Sequence, residues 1–475
     1  MFLAKLKTAH ILFLGFLLYL LVFALNDGFM ALDEYWVGIT RYIPAQTSTL
    51  MKLVAADDVK SPLQLLPMYA VAQTALKLGV TSPYWQYRSI IFGLGTIGLL
   101  LLFASFFKFA ELNKLDKNQK NFLLLMLIFY FAVPFALTRP MFESLAAPWL
   151  TLAAVAAMKY DLDEKLSDLL WGVFFGSVAF VLRQQLGFCA LIFVILPLLK
   201  KNWKHLWFAG LLGLFFFILS GIPDIFIRGK FHYSLLNLTV YNYEHGSEYG
   251  NRSVLFYPAL IFIIGFIPFF LKKYPSEVTS GYIKRYRSLL IMVGLFVFLH
   301  SLFPQKWERF VISILPLLIF LIFPFLYYLH QNFAKNKFRL LSLYILNGCL
   351  FIIASFFPAQ KNLIEMSLYL DQHPEIKKIY RVSDTPGWIT EAFILNKQFQ
   401  FIESDNVQLS SVDWTDCSQI LVIGQAQSDI YSPVTDKLKL NAQFNVNLIE
   451  QLAFLVNPKN NLRRVQLRLF SGCNR

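Results

Sequence analysis

The sequence has few charged residues. Aspartate, glutamate, lysine and arginine make up 15% of its 475 positions, whereas soluble proteins contain roughly a quarter. This shortage excludes an ordinary soluble globular protein. The hydrophobic residues, at 57% of the chain, form repeated long apolar runs, which indicate transmembrane helices. The sequence therefore predicts a polytopic α-helical membrane protein.

Cysteine is also scarce. The four cysteines are not spaced like metal ligands, so no metal site is predicted and no cofactor is expected. Cys189 and Cys349 lie in apolar runs, whereas Cys417 and Cys473 lie near the C-terminus. The last two can form a disulfide in an oxidising compartment, and the sequence leaves open whether they do.

Charge is absent from the middle of the apolar runs. Ion-coupled transporters usually need acidic or basic groups near the membrane midplane, often beside broken helices. This absence argues against a lipid-linked glycan flippase or transporter, which stays an alternative together with a non-catalytic membrane scaffold. The net charge of +14 comes from short basic clusters between apolar runs, a positive-inside pattern that does not indicate nucleic-acid binding.

The basic clusters determine the predicted topology. About eleven spans place every cluster on the inside of the membrane. The spans are predicted at residues 10–25, 87–107, 122–137, 144–158 and 169–182, up to 199, up to 225, at 254–271 and 288–303, before 335, and at 340–357. Two long outer loops are expected at about 26–87 and 226–253, with a helix at 62–79 lying in the membrane interface.

The chain from residue 358 onward has the composition of a soluble protein. Segments Ile376–Val382 and Gln419–Ile423 are typical of strands, and Val446–Leu455 fits either a helix or a strand. We predict a transmembrane domain at residues 1–357 and a small α/β domain at residues 358–475 on the outer face. No chemistry is assigned to the smaller domain.

Two adjacent acids follow the first apolar run. Asp33 and Glu34, with Tyr35 and Trp36 after them, lie where the chain has just crossed the membrane, and aromatic rings favour that boundary. A carboxylate there can accept a proton from a substrate hydroxyl beside a lipid carrier. The alternative is a solvated acidic loop.

More ionisable groups gather at the predicted outer ends of different spans. Each alone fits an interfacial anchor or a helix cap. Together they predict a basic-rich polar site at one membrane face, which suits a phosphate whose lipid tail stays in the bilayer. The residues are Asp33, Glu34, Arg88, Arg139, Glu143, Arg183, Arg252, Lys306, Glu308 and Arg309.

Four segments have the order and spacing of motifs from one enzyme family. Residues 32–36 resemble its HPDE motif, residues 138–145 its TRTFSNSLE stretch, residues 237–242 with 249–250 its NFxxFN…YG loop, and residues 305–310 with 316–317 its HKEERF…PL segment. The family is glycosyltransferase family 22, the polyprenyl-phosphate-mannose-dependent mannosyltransferases of the GT-C superfamily. Ala31 and Leu32 replace the His-Pro of HPDE, and Gln305 replaces the His of HKEERF.

The resemblance implies an inverting transfer of a sugar, mannose, from a polyprenyl-phosphate donor to a glycan or glycolipid acceptor. It makes Asp33 the catalytic base, and Glu34 would orient the acceptor. The implied donor-phosphate contacts are Arg309, Lys306, Arg252 and Arg139. The implied acceptor and loop residues are Tyr35, Trp36, Glu143, Arg183, Asn242, Tyr249 and Glu308. The expected location is a bacterial inner membrane with the active site facing outward or, alternatively, the endoplasmic reticulum membrane. The expected partners are the two substrates and membrane lipid, with no nucleic acid.

No nucleotide-binding loop is expected, because the sugar donor is a lipid phosphate. The pattern Gly93-x-Gly95-x-x-Gly98 lies inside a predicted span without a preceding strand, so it indicates helix packing. Glycosylation acceptor patterns at Asn237 and Asn251 fall within the expected site, and we attribute them to chance.

The topology predicts which positions an impermeant thiol reagent reaches in intact cells. In a cysteine-free background, cysteines placed at Lys117, Lys201 and Lys284 should resist labelling because they face inside. Cysteines placed at Asn242 and Asp384 should react. Labelling of position 117 from outside would contradict the topology and make residues 62–79 a true crossing.

Overall fold

The computed structural model describes residues 7–29, 34, 60–246, 248, 251–382, 400–425, 430–458, 461 and 464–473, and the structural statements below concern these residues. By their contacts they group into two units. The first unit contains residues 7–23, 60–71 and 90–355, and the second contains residues 24–29, 34, 72–89 and those from 356 onward. The sequence predicts a single domain boundary near residue 357. The contacts instead place residues 24–29, 34 and 72–89 in the same unit as the C-terminal part.

The chain is mainly helical up to residue 372. The helices are α1 (Thr8–Leu25), α2 (Pro62–Lys77), α3 (Pro83–Leu112), α4 (Lys117–Phe129), α5 (Val133–Leu137), α6 (Phe142–Asp163), α7 (Leu166–Leu182), α8 (Gly187–Ala190), α9 (Ile192–Leu199), α10 (Trp203–Arg228), α11 (Tyr233–His245), α12 (Phe256–Ile264), α13 (Ser276–Thr279), α14 (Tyr282–Leu302), α15 (Leu315–Gln331), α16 (Phe333–Phe356) and α17 (Lys361–Gln372). Turns of 3-10 helix lie at Gln184–Leu186, Ile267–Phe270 and Glu308–Ile314.

Six helical segments of the described chain are long and apolar enough to cross a membrane, by length and composition alone. They are α1, α3, α10, α14, Glu308–Gln331 and Phe333–Gln372. Two predicted spans correspond to shorter apolar helices, at Leu166–Leu182 and Gln184–Leu199. The polytopic helical class is thus supported, and the number of about eleven crossings stays a prediction.

The predicted third span is broken, because α4 ends at Phe129 and α5 begins at Val133. Asn347 of α16 occupies the break. Its amide nitrogen donates to Phe129 O at 2.7 Å, and its Oδ1 accepts from Phe131 N at 3.0 Å. Backbone groups freed from a helix in apolar surroundings need such partners, so this side chain stabilises the break.

The predicted eighth span, at 254–271, is interrupted too. Helix α12 ends at Ile264, Phe266 adopts a left-handed φ of 52°, and a 3-10 turn follows. The predicted outer loop at 226–253 contains α11, a helix of 13 residues. Average hydropathy registers neither change, because it does not depend on backbone direction.

Helix α6 is buried along most of its 22 residues. Its buried residues include several alanines, which let neighbouring helices approach closely. Both of its ends carry a buried acid, Glu143 in the first turn and Asp161 in the last. Asp161 pairs with Arg287 and lies 3.8 Å from Lys200. The helix is therefore held at each end by charge pairing.

The glycine pattern of α3 lies against neighbouring helices, as predicted. A β-carbon at Gly93 would lie 3.1 Å from Val71, and one at Gly95 would lie 2.2 Å from the Tyr19 hydroxyl. That hydroxyl donates to Ile91 O at 3.1 Å. The pattern therefore serves helix packing.

The second unit contains a five-stranded mixed sheet in the order β2-β1-β3-β5-β4. The elements are β1 (Lys378–Val382), β2 (Gln400–Ser404), α18 (Asn406–Ser410), β3 (Gln419–Gly424), α19 (Ser432–Thr435), β4 (Lys439–Phe444), α20 (Leu448–Val456) and β5 (Leu467–Ser471). Strand β1 is parallel to β2 and β3, whereas β5 is antiparallel to β3 and β4. Strands β1 and β3 overlap the predicted strands, and the segment left open between helix and strand forms α20.

The sheet is covered on both faces. Ile420 and Val422 pack with Leu363 of α17, whereas Leu421 and Ile423 belong to a second apolar cluster. Successive side chains of a strand point to opposite faces, so a strand covered on both sides needs apolar residues throughout. Strand β3 is accordingly buried at every position.

Cys417 and Cys473 form a disulfide across 56 positions of sequence. Cross-linking a loop of this size typically contributes about 2–4 kcal/mol to the free energy of unfolding. We expect Cys473→Ser to lower the free energy of opening of the sheet by about that amount, measured from hydrogen exchange of the β3 amides. Cys349→Ser, which removes an exposed free thiol, is the control. Equal exchange in both variants would contradict this expectation.

Candidate active site

The predicted acidic pair is described only in part. Asp33, Tyr35 and Trp36 lie outside the described residues, as does Tyr249. Glu34 is described and is fully buried. The hydroxyl of Tyr87, which is also buried, donates a hydrogen bond to Glu34 Oε2 at 3.2 Å.

One face of α3 contacts the segment that precedes Glu34 in the chain. Tyr84, Tyr87 and Arg88 lie at positions i, i+3 and i+4, so their side chains share a helix face. The Tyr84 hydroxyl lies 3.5 Å from Asp27 Oδ2, and Arg88 Nη1 donates to Asn26 O at 3.3 Å. The helix begins one turn before its predicted start, which places Tyr84 on this face.

Sequence analysis named Arg88 among the outer-end groups and missed Tyr87. The available signal was the spacing of Tyr84, Tyr87 and Arg88, which puts three polar groups on one face of an otherwise apolar helix. A polar stripe of this kind near a membrane boundary marks a surface that contacts other polar chain segments.

A second group of predicted residues surrounds Glu143 in the first unit. Glu143 Oε1 lies 3.1 Å from Arg183 Nη2 and 3.6 Å from Arg309 Nε, and its side chain is 5% exposed. These residues come from the first turn of α6, the end of α7 and the 3-10 turn Glu308–Ile314. An acid in the first turn also interacts favourably with the helix dipole.

Aromatic rings flank both guanidinium groups. Arg183 Cζ lies 4.5 Å from the ring centre of Phe310, and Arg309 Cζ lies 5.7 Å from the same ring. A cation is attracted to the face of an aromatic ring, whereas a guanidinium donates hydrogen bonds at its edges. The rings therefore help to orient the edges of the two arginines.

Trp307 lies between two of the predicted cations. Its ring is 5.5 Å from Arg252 Cζ and 5.6 Å from Arg309 Cζ. Its indole N–H is buried and has no hydrogen-bond partner among the described residues. The Tyr257 hydroxyl fixes its backbone by accepting from Trp307 N at 3.3 Å. Sequence analysis missed this residue, although an aromatic residue inside the basic segment 305–310 was the signal.

Lys306 points toward backbone carbonyl groups. Its ammonium donates to Arg252 O at 3.0 Å and to Phe303 O. Desolvation by burial lowers the pKa of Lys306. Arg252 itself forms an ion pair with Glu308, whose side chain is 58% exposed.

The structure thus brings together two sets of predicted residues, one around Glu143 and one around Arg252. Arg139 is buried with its guanidinium 4.9 Å from the ring centre of Phe135. Asn242 is half-buried in α11.

A cavity of about 730 Å³ lies elsewhere in the first unit. Its lining includes none of the predicted site residues, and among the residues that line it are Asn113, Tyr282, Lys284, Arg285 and Tyr327.

Residues 56–387 match the sequence profile of the Alg9-like mannosyltransferase family. The chain belongs to this family. The match confirms the resemblance to glycosyltransferase family 22 and supports glycosyltransferase activity. It covers the Glu143 and Arg252 sets and begins after Asp33 and Glu34, whose roles therefore rest on the motif alone. No curated protein matches the sequence of this chain.

The chain is similar to two crystal structures of ArnT from Cupriavidus metallidurans. The apo structure has 10% sequence identity and a TM-score of 0.58, with 98% of this chain and 97% of ArnT covered. The structure bound to undecaprenyl phosphate has 11% identity and a TM-score of 0.60, with 98% and 99% covered. At this identity the similarity concerns the fold alone, and it supports a polytopic helical membrane architecture.

Glu143 and Glu308 each pair with arginine, one buried and one exposed, and provide a matched test of burial. Removing one charge of a buried pair leaves the other uncompensated and typically costs about 3–5 kcal/mol, whereas exposed pairs contribute about 0–1 kcal/mol. We expect Glu143→Gln to lower the free energy of unfolding by about 3 kcal/mol and Glu308→Gln to lower it by less than about 1 kcal/mol. Denaturant titration in detergent measures both. Equal losses would contradict the role of Glu143.

Proposed function

We propose that the protein is an inverting membrane glycosyltransferase that moves a sugar, mannose, from a polyprenyl-phosphate carrier to a glycan or glycolipid acceptor. The observation that carries this proposal is the pair of guanidinium groups, Arg183 and Arg309, held by the buried Glu143 in a chain of the Alg9-like mannosyltransferase family. A phosphate leaving group needs such fixed cations.

The reaction is a single displacement at the anomeric carbon. The acceptor hydroxyl attacks from the face opposite the lipid phosphate, and its proton passes to the carboxylate of Asp33. The bond between the anomeric carbon and the phosphate oxygen breaks, and its electron pair leaves with the phosphate. The products are the glycosylated acceptor and the polyprenyl phosphate, with inverted anomeric configuration. General-base assistance of this kind contributes about 10²–10⁴-fold to the rate.

The arginines suit the leaving phosphate better than Lys306 does. A guanidinium presents a rigid fork that matches two phosphate oxygens, and the carboxylate of Glu143 fixes where Arg183 and Arg309 stand. The ammonium of Lys306 already donates to two carbonyls, which favours a role in holding the chain around Arg252. Trp307 can donate its indole N–H to an oxygen of the donor.

Two observations support the carrier and the compartment. An ArnT structure with the same fold contains undecaprenyl phosphate, which supports a polyprenyl phosphate as the lipid part of the donor here. The disulfide between Cys417 and Cys473 favours an oxidising compartment for the C-terminal domain. We therefore propose a bacterial inner membrane with the active site facing outward. The endoplasmic reticulum membrane is the alternative.

The direct test is an assay of the purified protein with a panel of polyprenyl-phosphate sugars and glycolipid acceptors. We expect transfer from the mannose donor with inversion of configuration. Transfer from a different sugar would change the donor, whereas lipid scrambling in vesicles without any glycoside formed would instead support a flippase.

The acidic pair provides the matched variants for this assay. Asp33→Asn keeps the shape of the side chain and removes the proton acceptor, so transfer should fall by about a hundredfold or more with donor binding unchanged. Glu34→Gln should be milder, because Tyr87 can still donate to an amide oxygen. An active Asp33→Asn with an inactive Glu34→Gln would make Glu34 the base, and normal transfer by both would remove the main support for the mechanism.

A further inference from the structure

The connection between α16 and α17 contacts the chain that leads to the acidic pair. Phe29 N donates to Ala359 O at 2.7 Å, and Gln360 Nε2 donates to Phe29 O at 3.3 Å. The backbone N–H and the backbone C=O of Phe29 are thus both hydrogen-bonded to residues 359–360. The approach is so close that a β-carbon at Gly28 would lie 2.0 Å from Ala359 O, so only glycine fits there.

The same connection is bound from the other side by α20. Gln360 N donates to Glu450 Oε1 at 3.0 Å, and Asn447 Nδ2 donates to Pro358 O at 2.8 Å. Gln360 and Glu450 are both buried. Gln360 has a left-handed φ of 56°, a conformation that residues other than glycine rarely adopt. Its side chain donates to Phe29 O, and its backbone N–H donates to Glu450.

The contacts continue from Phe29 to the acid. The ring centres of Phe29 and Tyr87 are 5.7 Å apart, and the Tyr87 hydroxyl donates to Glu34. Glu450, Gln360, Phe29, Tyr87 and Glu34 therefore form an unbroken series of contacts within the second unit. We call it the Gln360 series.

We propose that Gln360 is a positioning residue for sugar transfer, and that through Phe29 and Tyr87 it lets the C-terminal α/β domain fix the carboxylate of Glu34. The inference rests on the proposed function. Its physical basis is that a catalytic group displaced by about 1 Å can cost about a hundredfold in rate. The domain to which sequence analysis assigned no chemistry thus contributes to the rate without touching a substrate.

The variant that isolates this role is Gln360→Gly. Glycine adopts the left-handed φ without strain and keeps the backbone N–H for Glu450, so the hydrogen bond that is lost is the one from the side chain to Phe29 O. We expect about a tenfold fall in kcat, a KM for the donor within about twofold of wild type, and no loss of thermal stability. If Gln360 only supported the fold, Gln360→Gly would lower the thermal stability and leave kcat unchanged.

Asn362→Ala is the matched control. Asn362 is buried two residues away and donates to Val465 O at 2.8 Å, a bond within the α/β domain to a residue outside the Gln360 series. We expect lower thermal stability and a kcat equal to wild type below the melting temperature. A similar fall in kcat for Asn362→Ala would overturn the specific role of Gln360.

A double-mutant cycle tests the connection to the acid. Tyr87→Phe removes the hydroxyl that donates to Glu34, and the effects of Gln360→Gly and Tyr87→Phe on kcat should be less than additive if both act on one carboxylate. Fully additive effects on kcat would mean that Gln360 and Tyr87 act independently, and this would overturn the proposal. Amide exchange at Phe29, which needs no substrate, should also be faster in Gln360→Gly, and unchanged exchange would overturn the contact on which the proposal depends.

The proposed function and the positioning role of Gln360 would be overturned by different results. Absence of sugar transfer by the wild type would overturn the proposed function and this inference with it. Transfer by the wild type, with an unchanged kcat in Gln360→Gly, would overturn the inference alone.

Discussion

Burying a carboxylate among apolar helices is costly, and a cation beside it offsets that cost. Helix α6 meets this constraint at both ends, where Glu143 pairs with Arg183 and Arg309 and Asp161 pairs with Arg287. The partners come from other parts of the first unit, so the charge pairs fix the positions of those segments as well as the helix. The same constraint that holds the fold together therefore also fixes the arginines that the proposed reaction uses.

Sequence analysis predicted the membrane class and the enzyme family because both depend on patterns that are local in sequence. Apolar runs mark helices, and the motif at residues 138–145 already contains Glu143. The pairing of Glu143 with Arg183 and Arg309 could not be predicted, because it joins residues 40 positions apart or more through the packing of helices. Hydropathy likewise gave no sign that Asn347 occupies a break in a distant span, since that contact depends on two helices already being in place.

The family assignment and the acidic pair rest on different kinds of observation. Residues 56–387 match the family as a whole, and this region contains the arginines. The acids precede it, and one of them, Glu34, is buried against Tyr87. A buried carboxylate that accepts from a tyrosine is held in one orientation, which is the property that a group directing an acceptor hydroxyl requires.

The order of strands in the C-terminal sheet has a consequence for how the protein is made. Strand β5 follows both β3 and β4 in sequence, yet it lies between them in the interior of the sheet. Until β5 has been synthesised, β3 and β4 have no neighbour on their inner sides, and their unpaired edges are open to other chains. The sheet can be completed only after β5 has emerged from the ribosome. Biogenesis therefore includes an interval in which helices α1 to α20 have been synthesised while the sheet remains open to premature pairing.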